Sequence, residues 1–136
     1  MTVELVVGAQ LPARTFRVTR ADLVRYAGAS GDFNPIHWSQ RIATSVGLPD
    51  VIAQGMLTMA LAGRVVTDWL GDPTRLVEYG VRFAAPVVVP DDDTGTEVTV
   101  TGVVKRELED GRFQIDLDAR CDGQKVLGQA RAVVRA

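Results

Sequence analysis

An α+β fold, with an antiparallel sheet curled around one long helix, is predicted by three observations. A 16-residue apolar stretch from Gly55 to Leu70 has helical character, and from Leu76 onward the apolar period shortens to two. The alternating segments are joined by Asp110-Gly111 and Asp122-Gly123, dipeptides suited to tight hairpin turns. Short joins imply antiparallel neighbours, and alternation implies one buried and one solvated face. The buried face needs a partner layer, which the apolar helix supplies.

Taken in order, a strand around Thr15 to Val18 would complete one edge of the sheet. Thr19-Arg20-Ala21-Asp22 reads as a capping box opening a short helix, with Leu23, Tyr26 and Ala27 at helical spacing and Gly28 and Gly31 ending it. Asn34-Pro35 biases Asn34 away from helical angles, and Ser39 can cap one more turn through Ile42 and Ala43. Val46 to Ala53, with Gly47 and Pro49, reads as a loop.

The Gly55 to Leu70 helix is apolar almost all round, with Arg64, Thr67 and Asp68 late on one side, which marks it as the buried central helix. Gly71 and Pro73 stop it. Val77, Tyr79, Val81 and Phe83 then alternate with Glu78, Gly80 and Arg82 in a first strand of the second half. Val98, Val100 and Val104 mark a second, Phe113 to Cys121 a third, and Val126, Ala130, Ala132 and Val134 a fourth, giving a meander. With 136 residues, 46% apolar and 24% charged, residues 1–136 fit one domain without repeat, low-complexity segment or linker.

Fifteen basic against seventeen acidic side chains leave a net charge of −2, so neither nucleic acid nor an anionic membrane is implied as a partner. The start Met1-Thr2-Val3-Glu4-Leu5 carries no basic leader region, and no apolar stretch has spanning length, so a cytoplasmic location is expected. Cys121 lies in an alternating apolar run and reads as a small buried hydrophobe. One His and one Cys do not make a conventional zinc site, and Asp91-Asp92-Asp93 departs from a calcium loop and reads as a solvated turn. Gly28-Ala29-Ser30-Gly31 is not a nucleophile elbow, and no phosphate-cradling glycine loop is present.

The only histidine, His37, follows Asp32 by five residues inside a Gly- and Pro-punctuated loop. Five helical steps turn about 140°, and odd spacing on a strand puts side chains on opposite faces, so only an irregular loop brings the two together. An aspartate and a neutral histidine suit proton transfer, such as reversible loss of water from a β-hydroxyacyl compound. That reaction also needs the carbonyl polarised as charge develops. Gly55 offers a free amide N–H at the positive end of the apolar helix. Asn34 is a candidate positioning amide and Thr58 a candidate hydrogen-bonding hydroxyl. Viewed singly, Asp32 and His37 also fit a surface pair, Asn34-Pro35 an ordinary turn, and Thr58 a buried hydroxyl bonded to its own backbone.

Tyr26 to His37, with its core Ser30-Gly31-Asp32-Phe33-Asn34-Pro35-Ile36-His37, resembles the hydratase signature of the MaoC-like, hot dog fold dehydratases. Ile52-Ala53-Gln54-Gly55-Met56-Leu57-Thr58 is similar to that family's segment leading into the central helix, and Tyr79-Gly80-Val81-Arg82-Phe83 to its following strand. Within the family, Asp32 to Trp38 and Gly55 to Met59 resemble the catalytic, single hot dog member of the actinobacterial (3R)-hydroxyacyl-ACP dehydratases. The resemblance implies a hot dog fold, and a hydro-lyase interconverting (3R)-3-hydroxyacyl and trans-2-enoyl thioesters without metal or organic cofactor. It implies Asp32 and His37 as the catalytic dyad and the Gly55 amide on the thioester carbonyl.

Substrates on acyl carrier protein or coenzyme A, and a homodimer or a heterodimer with another hot dog subunit, are also implied. Met56, Leu57 and Met59 are acyl-pocket candidates, along with Trp69, although helical spacing favours core packing for most of them. Gln54 departs from the pattern, since many relatives carry His there, and could alter pH dependence or substrate fit. Rival expectations are an (R)-specific enoyl-CoA hydratase of β-oxidation or polyester precursor supply, a non-catalytic hot dog partner, and a hot dog thioesterase.

Overall fold

The structure, a computed structural model, describes residues 3–136, so the expectation resting on Met1 and Thr2 lies outside them. Five antiparallel strands form one sheet in the order β1-β3-β4-β5-β2, from β1 (Gln10–Val18), β2 (Leu76–Phe83), β3 (Thr96–Glu107), β4 (Arg112–Cys121) and β5 (Gln124–Arg135). Helix α3 (Gly55–Leu70) crosses one face of it, and α1 (Arg20–Ser30) and α2 (Gln40–Ser45) precede α3 in the chain. The expected α+β architecture, a sheet wrapped on a central helix, is the one observed.

β3, β4 and β5 are the meander that the Asp-Gly pairs predict. Asp110 and Gly111 have φ of 60° and 69°, and Asp122 and Gly123 of 51° and 73°, the left-handed pair that a two-residue hairpin requires. β2 does not belong to the meander. It pairs with β5 at the far edge, and segment 84–95, too long for a hairpin, carries the chain across to β3. β1 pairs with β3 at the other edge and begins earlier than Thr15, at Gln10. Pro12 sits where the register shifts between Leu11 and Arg14, and its missing N–H is tolerated on an edge strand.

The sheet face beneath α3 is a valine-rich layer: Val98, Val100, Val104, Ile115, Ala119, Ala132 and Val134 have no measurable exposure. Thr58, Ala62, Val65, Val66 and Leu70 of α3 are buried, whereas Met56, Ala60, Arg64 and Asp68, spaced i to i+4, form an exposed stripe. The helix is therefore not enclosed all round as its composition suggested, because the sheet covers one face only. Cys121 is buried, as expected. The register shift between Leu76 and Glu78 puts an extra residue into β2 and leaves Val77 exposed, whereas the shift opposite Gly80 and Arg82 puts its extra residue into β5. Tyr79 keeps its inward place: its hydroxyl donates to the Met59 carbonyl at 2.6 Å and its ring lies against Gly63.

Helix α1 starts at the capping box, where the Thr19 side chain accepts from Asp22 N–H and the Asp22 carboxylate accepts from Thr19 N–H at 2.9 Å. It runs through Gly28, contrary to expectation, because a single interior glycine costs only about 1 kcal/mol against alanine. The helix ends at Gly31, whose φ of 77° is left-handed and whose N–H reaches the Ala27 carbonyl. A short 3₁₀ turn, Pro35–His37, follows before Ser39 caps α2. No helix among the described residues is long and apolar enough to cross a membrane.

Candidate functional site

The loop after α1 is built by side chains folding onto their own backbone. The Ser30 hydroxyl accepts from Asp32 N–H at 3.1 Å, Asp32 Oδ1 accepts from Asn34 N–H at 3.2 Å, and Asn34 Oδ1 accepts from Ile36 N–H at 3.2 Å. Each is a local alternative to helix pairing that Ser, Asp and Asn favour. Asp32 Oδ1 is thus spent on the loop, while Oδ2 faces His37 Nε2 at 3.5 Å. The Asp32 side chain is 44% exposed and the His37 side chain only 8%.

The other ring nitrogen, His37 Nδ1, lies 2.7 Å from the Ile52 carbonyl oxygen. A carbonyl can only accept, so Nδ1 carries the hydrogen, and in the neutral ring Nε2 presents its lone pair toward Asp32. Ile52 is itself pinned. Its N–H donates to the Ile36 carbonyl at 3.1 Å, Ala53 N–H donates to Val87 at 2.9 Å, and Val89 N–H donates to Val51 at 3.0 Å. Arg20 ties the same crossing together, with Nε donating to the Val89 carbonyl at 2.7 Å and a guanidinium nitrogen 2.9 Å from Asp50. The segment expected to be a plain loop is the clamp that sets the histidine tautomer.

Gly55 opens α3. The Gln54 carbonyl accepts from Leu57 N–H at 3.0 Å and Thr58 N–H at 3.3 Å, so it points into the helix. No peptide among the described residues is cis, and a trans peptide places Gly55 N–H opposite that carbonyl, outward along the axis. The helix dipole adds partial positive charge there. Asp32, His37, Gly55, Met56 and Thr58 all line one largely apolar cavity of about 450 Å³. Its remaining walls come from Leu48, Ile52, Ala53, Phe83 to Val87, Val126 and Leu127. A larger, more polar concavity of about 810 Å³ is formed by β1, β3, β4 and β5 alone and holds no such acid and base pair.

Of the residues singled out from the sequence, the fold brings Asp32, His37, Gly55, Thr58 and Met56 together. Asn34 does not line the cavity; its side chain caps the turn that carries His37. Leu57 faces a separate hollow with Phe16, Tyr26 and Leu61. Met59 and Trp69 line neither, and the Met59 carbonyl receives Tyr79. Thr58, expected to be a buried hydroxyl when viewed singly, is buried and borders the cavity. Gln54 is 1% exposed; its Nε2 donates to the Leu23 carbonyl at 3.0 Å and its Oε1 is buried without a partner.

Two contributors were not singled out from the sequence. The Ile52 carbonyl is main chain, which any residue supplies, so nothing in the sequence marks it. Phe83 was placed with the inward residues of its strand and does face α3, but its seat over Gly55 at the cavity follows from how β2 meets α3 and has no local signature. Among the described residues no three His, Cys, Asp or Glu side chains come together as a metal-ligand set.

Residues 5–118 match the model of the family described as MaoC like domain. Over 102 residues the chain is 37% identical to 3-hydroxyacyl-thioester dehydratase X of Mycobacterium tuberculosis, an alignment covering 69% of this chain and 35% of that protein. It is 35% identical over 88 residues to the (R)-specific enoyl-CoA hydratase of Rhodospirillum rubrum, covering 64% of this chain and 60% of that enzyme. A solved MaoC-like dehydratase superposes with a TM-score of 0.92 at 41% identity, covering 97% of this chain and 41% of the other. The alignments thus span about a third of the mycobacterial protein and under two thirds of the Rhodospirillum enzyme. The five-stranded sheet on a central helix is the hot dog fold of these neighbours.

Proposed function

Because the chain belongs to the MaoC-like domain family, we propose that it is a hydro-lyase that reversibly dehydrates (3R)-3-hydroxyacyl thioesters to trans-2-enoyl thioesters. The observation that carries this reading is the placing of Asp32 Oδ2 and His37 Nε2 3.5 Å apart beside an outward-pointing Gly55 N–H, with His37 Nδ1 bonded to the Ile52 carbonyl. At that distance the two do not hydrogen-bond well directly, and with His37 neutral neither has a hydrogen to share. A water molecule or a substrate hydroxyl, which brings its own O–H, satisfies both.

In the hydration direction the water held there attacks C3 of the enoyl thioester and loses a proton to one member of the pair. The electron pair of the C2=C3 bond moves toward the thioester carbonyl, whose growing negative charge the Gly55 N–H and the α3 dipole stabilise. C2 then takes that proton back from the pair, so that H and OH have added across the double bond and both members return to their starting state. Dehydration runs the same steps backward. The low polarity of the cavity strengthens these interactions, and Met56 with the apolar walls accommodates the acyl chain.

Acyl carrier protein and coenzyme A are the two candidate carriers. Fatty acid synthesis or elongation is the favoured setting, which similarity to fungal fatty acid synthase beta subunits supports, and the (R)-specific enoyl-CoA hydratase relative keeps hydration on coenzyme A as the second reading. Residues 1–136 act as one hot dog domain. Pairing with a second hot dog, identical or not, is supported by exposed Phe33, Trp38, Met56 and Phe83 at or beside the cavity residues. The test offers the purified chain crotonyl and longer trans-2-enoyl thioesters on either carrier while the conjugated enoyl absorbance is followed. Loss of absorbance with formation of the (3R)-hydroxyacyl product supports the reading. Release of free thiol without hydration makes the protein a thioesterase, and activity only after addition of a second subunit makes it one half of an obligate complex.

A further inference from the structure

Phe83 sits in an unusual position for a large aromatic. It is 58% exposed, so it contributes little to the core, yet its ring lies directly over Gly55 in the cavity wall. A methyl group at position 55 would come within 2.9 Å of Phe83 Cε1, 3.0 Å of Cδ1 and 3.1 Å of Cζ, so the ring occupies the volume that any side chain there would take. The ring's backbone is held: Phe83 pairs with Leu127 in β5, and Ala84 N–H donates to the Val126 carbonyl at 3.0 Å. Phe83 faces α3 as Tyr79 does, one ring over Gly55 and the other against Gly63.

We propose that Phe83 is a specificity-determining wall of the thioester slot: its ring, seated on Gly55, sets the width of the slot and keeps water off the outward-pointing amide. The proposal rests on the hydro-lyase reading above. An amide that stabilises developing charge does so best where water is excluded, and a flat aromatic excludes water while leaving the N–H free. A straight enoyl thioester slides between the ring and the Asp32–His37 wall, whereas branching near the carbonyl collides with the ring. Glycine at 55 is then required for the ring's approach, independently of its N–H, which any residue but proline supplies.

The test compares the wild-type protein with Phe83→Leu, Phe83→Ala, Gly55→Ala and the double variant Gly55→Ala/Phe83→Ala, using straight and 2-methyl-branched trans-2-enoyl thioesters. Phe83→Ala should lower kcat on the straight substrate by about tenfold while shifting preference toward the branched one by about tenfold, the scale on which apolar pocket contacts discriminate. Phe83→Leu should fall between. Gly55→Ala should lose about a hundredfold or more, the scale of a misplaced oxyanion donor, and the double variant should recover about tenfold over Gly55→Ala. Unchanged kcat and preference in Phe83→Ala, or a double variant no better than Gly55→Ala, overturns the proposal while leaving the hydro-lyase reading standing. A folded wild type that hydrates no enoyl thioester, with or without a second hot dog subunit, overturns both. If Gly55→Ala does not fold, the two single Phe83 variants and their substrate preference decide.

Discussion

Replacing Gly63 by alanine should destabilise the protein although alanine is the better helix former. Alanine in place of glycine within a helix gains about 1 kcal/mol. Here the new methyl would stand 3.0 Å from Tyr79 Cε2. The ring cannot retreat freely, because its hydroxyl is held at 2.6 Å by the Met59 carbonyl one turn earlier on α3. Displacing it forfeits a hydrogen bond of about 1 kcal/mol and overpacks the contact between α3 and β2 by about 1 to 3 kcal/mol. The net expectation is a loss of about 1 to 3 kcal/mol. In a Tyr79→Leu background the obstructing ring is gone, so Gly63→Ala should be neutral or stabilising by up to about 1 kcal/mol. Equilibrium urea unfolding of the four proteins at fixed concentration measures the cycle, and the m-value checks that the unfolded reference is unchanged. Equal stabilisation by Gly63→Ala in both backgrounds would refute the reasoning.

Burial raises the Tyr79 phenol to about 12, above the 10 of a free phenol. Its contribution is therefore intact below about pH 10 and is lost as pH rises toward about 12; Tyr79→Phe should flatten that part of the stability profile, as urea midpoints measured across the range will register. Asn34→Ala should cost about 1 kcal/mol through the lost cap of the Pro35–His37 turn. It should also lower kcat by about tenfold or more by loosening His37, with Asn34→Asp restoring both since aspartate caps as well. Gln54→Met gives up one hydrogen bond to Leu23 but removes the unpaired Oε1, so thermal unfolding should show a change within about 1 kcal/mol of zero, where loss of a fully bonded glutamine would cost more.

What the sequence disclosed and what it hid divide along the range of the interactions involved. α3 and the β3-β4-β5 hairpins rest on local signals, an apolar run ended by Gly71 and two Asp-Gly turns, and all were legible. The capping box at Thr19 and Asp22 and the cap at Ser39 are likewise confined to a few residues. The edge that β2 joins is decided by β5, far along the chain, and by a crossing segment with no pattern of its own, so a meander was the nearer expectation. At the site, Asp32, His37 and Gly55 stood out by residue type and spacing. The Ile52 carbonyl and the seat of Phe83 over Gly55 did not, because a main-chain oxygen and the meeting of β2 with α3 are consequences of tertiary contact; Asn34 stood out as a positioning candidate, while its place as the cap of a 3₁₀ turn did not. The exposed stripe of α3 was missed for the same reason: composition reports how apolar a helix is, and only the neighbouring layers decide which sides are covered.

The central claim is that Asp32 and His37 act as a unit on one oxygen held between them. The most direct measurement is kcat/KM for enoyl thioester hydration in Asp32→Asn, His37→Gln and the variant carrying both. Each single change should cost about a hundred- to ten-thousandfold, and the double variant should be at most a few-fold worse than the poorer single one, as for groups that function only together. Losses that multiply in the double variant, or wild-type turnover in either single one, would contradict it.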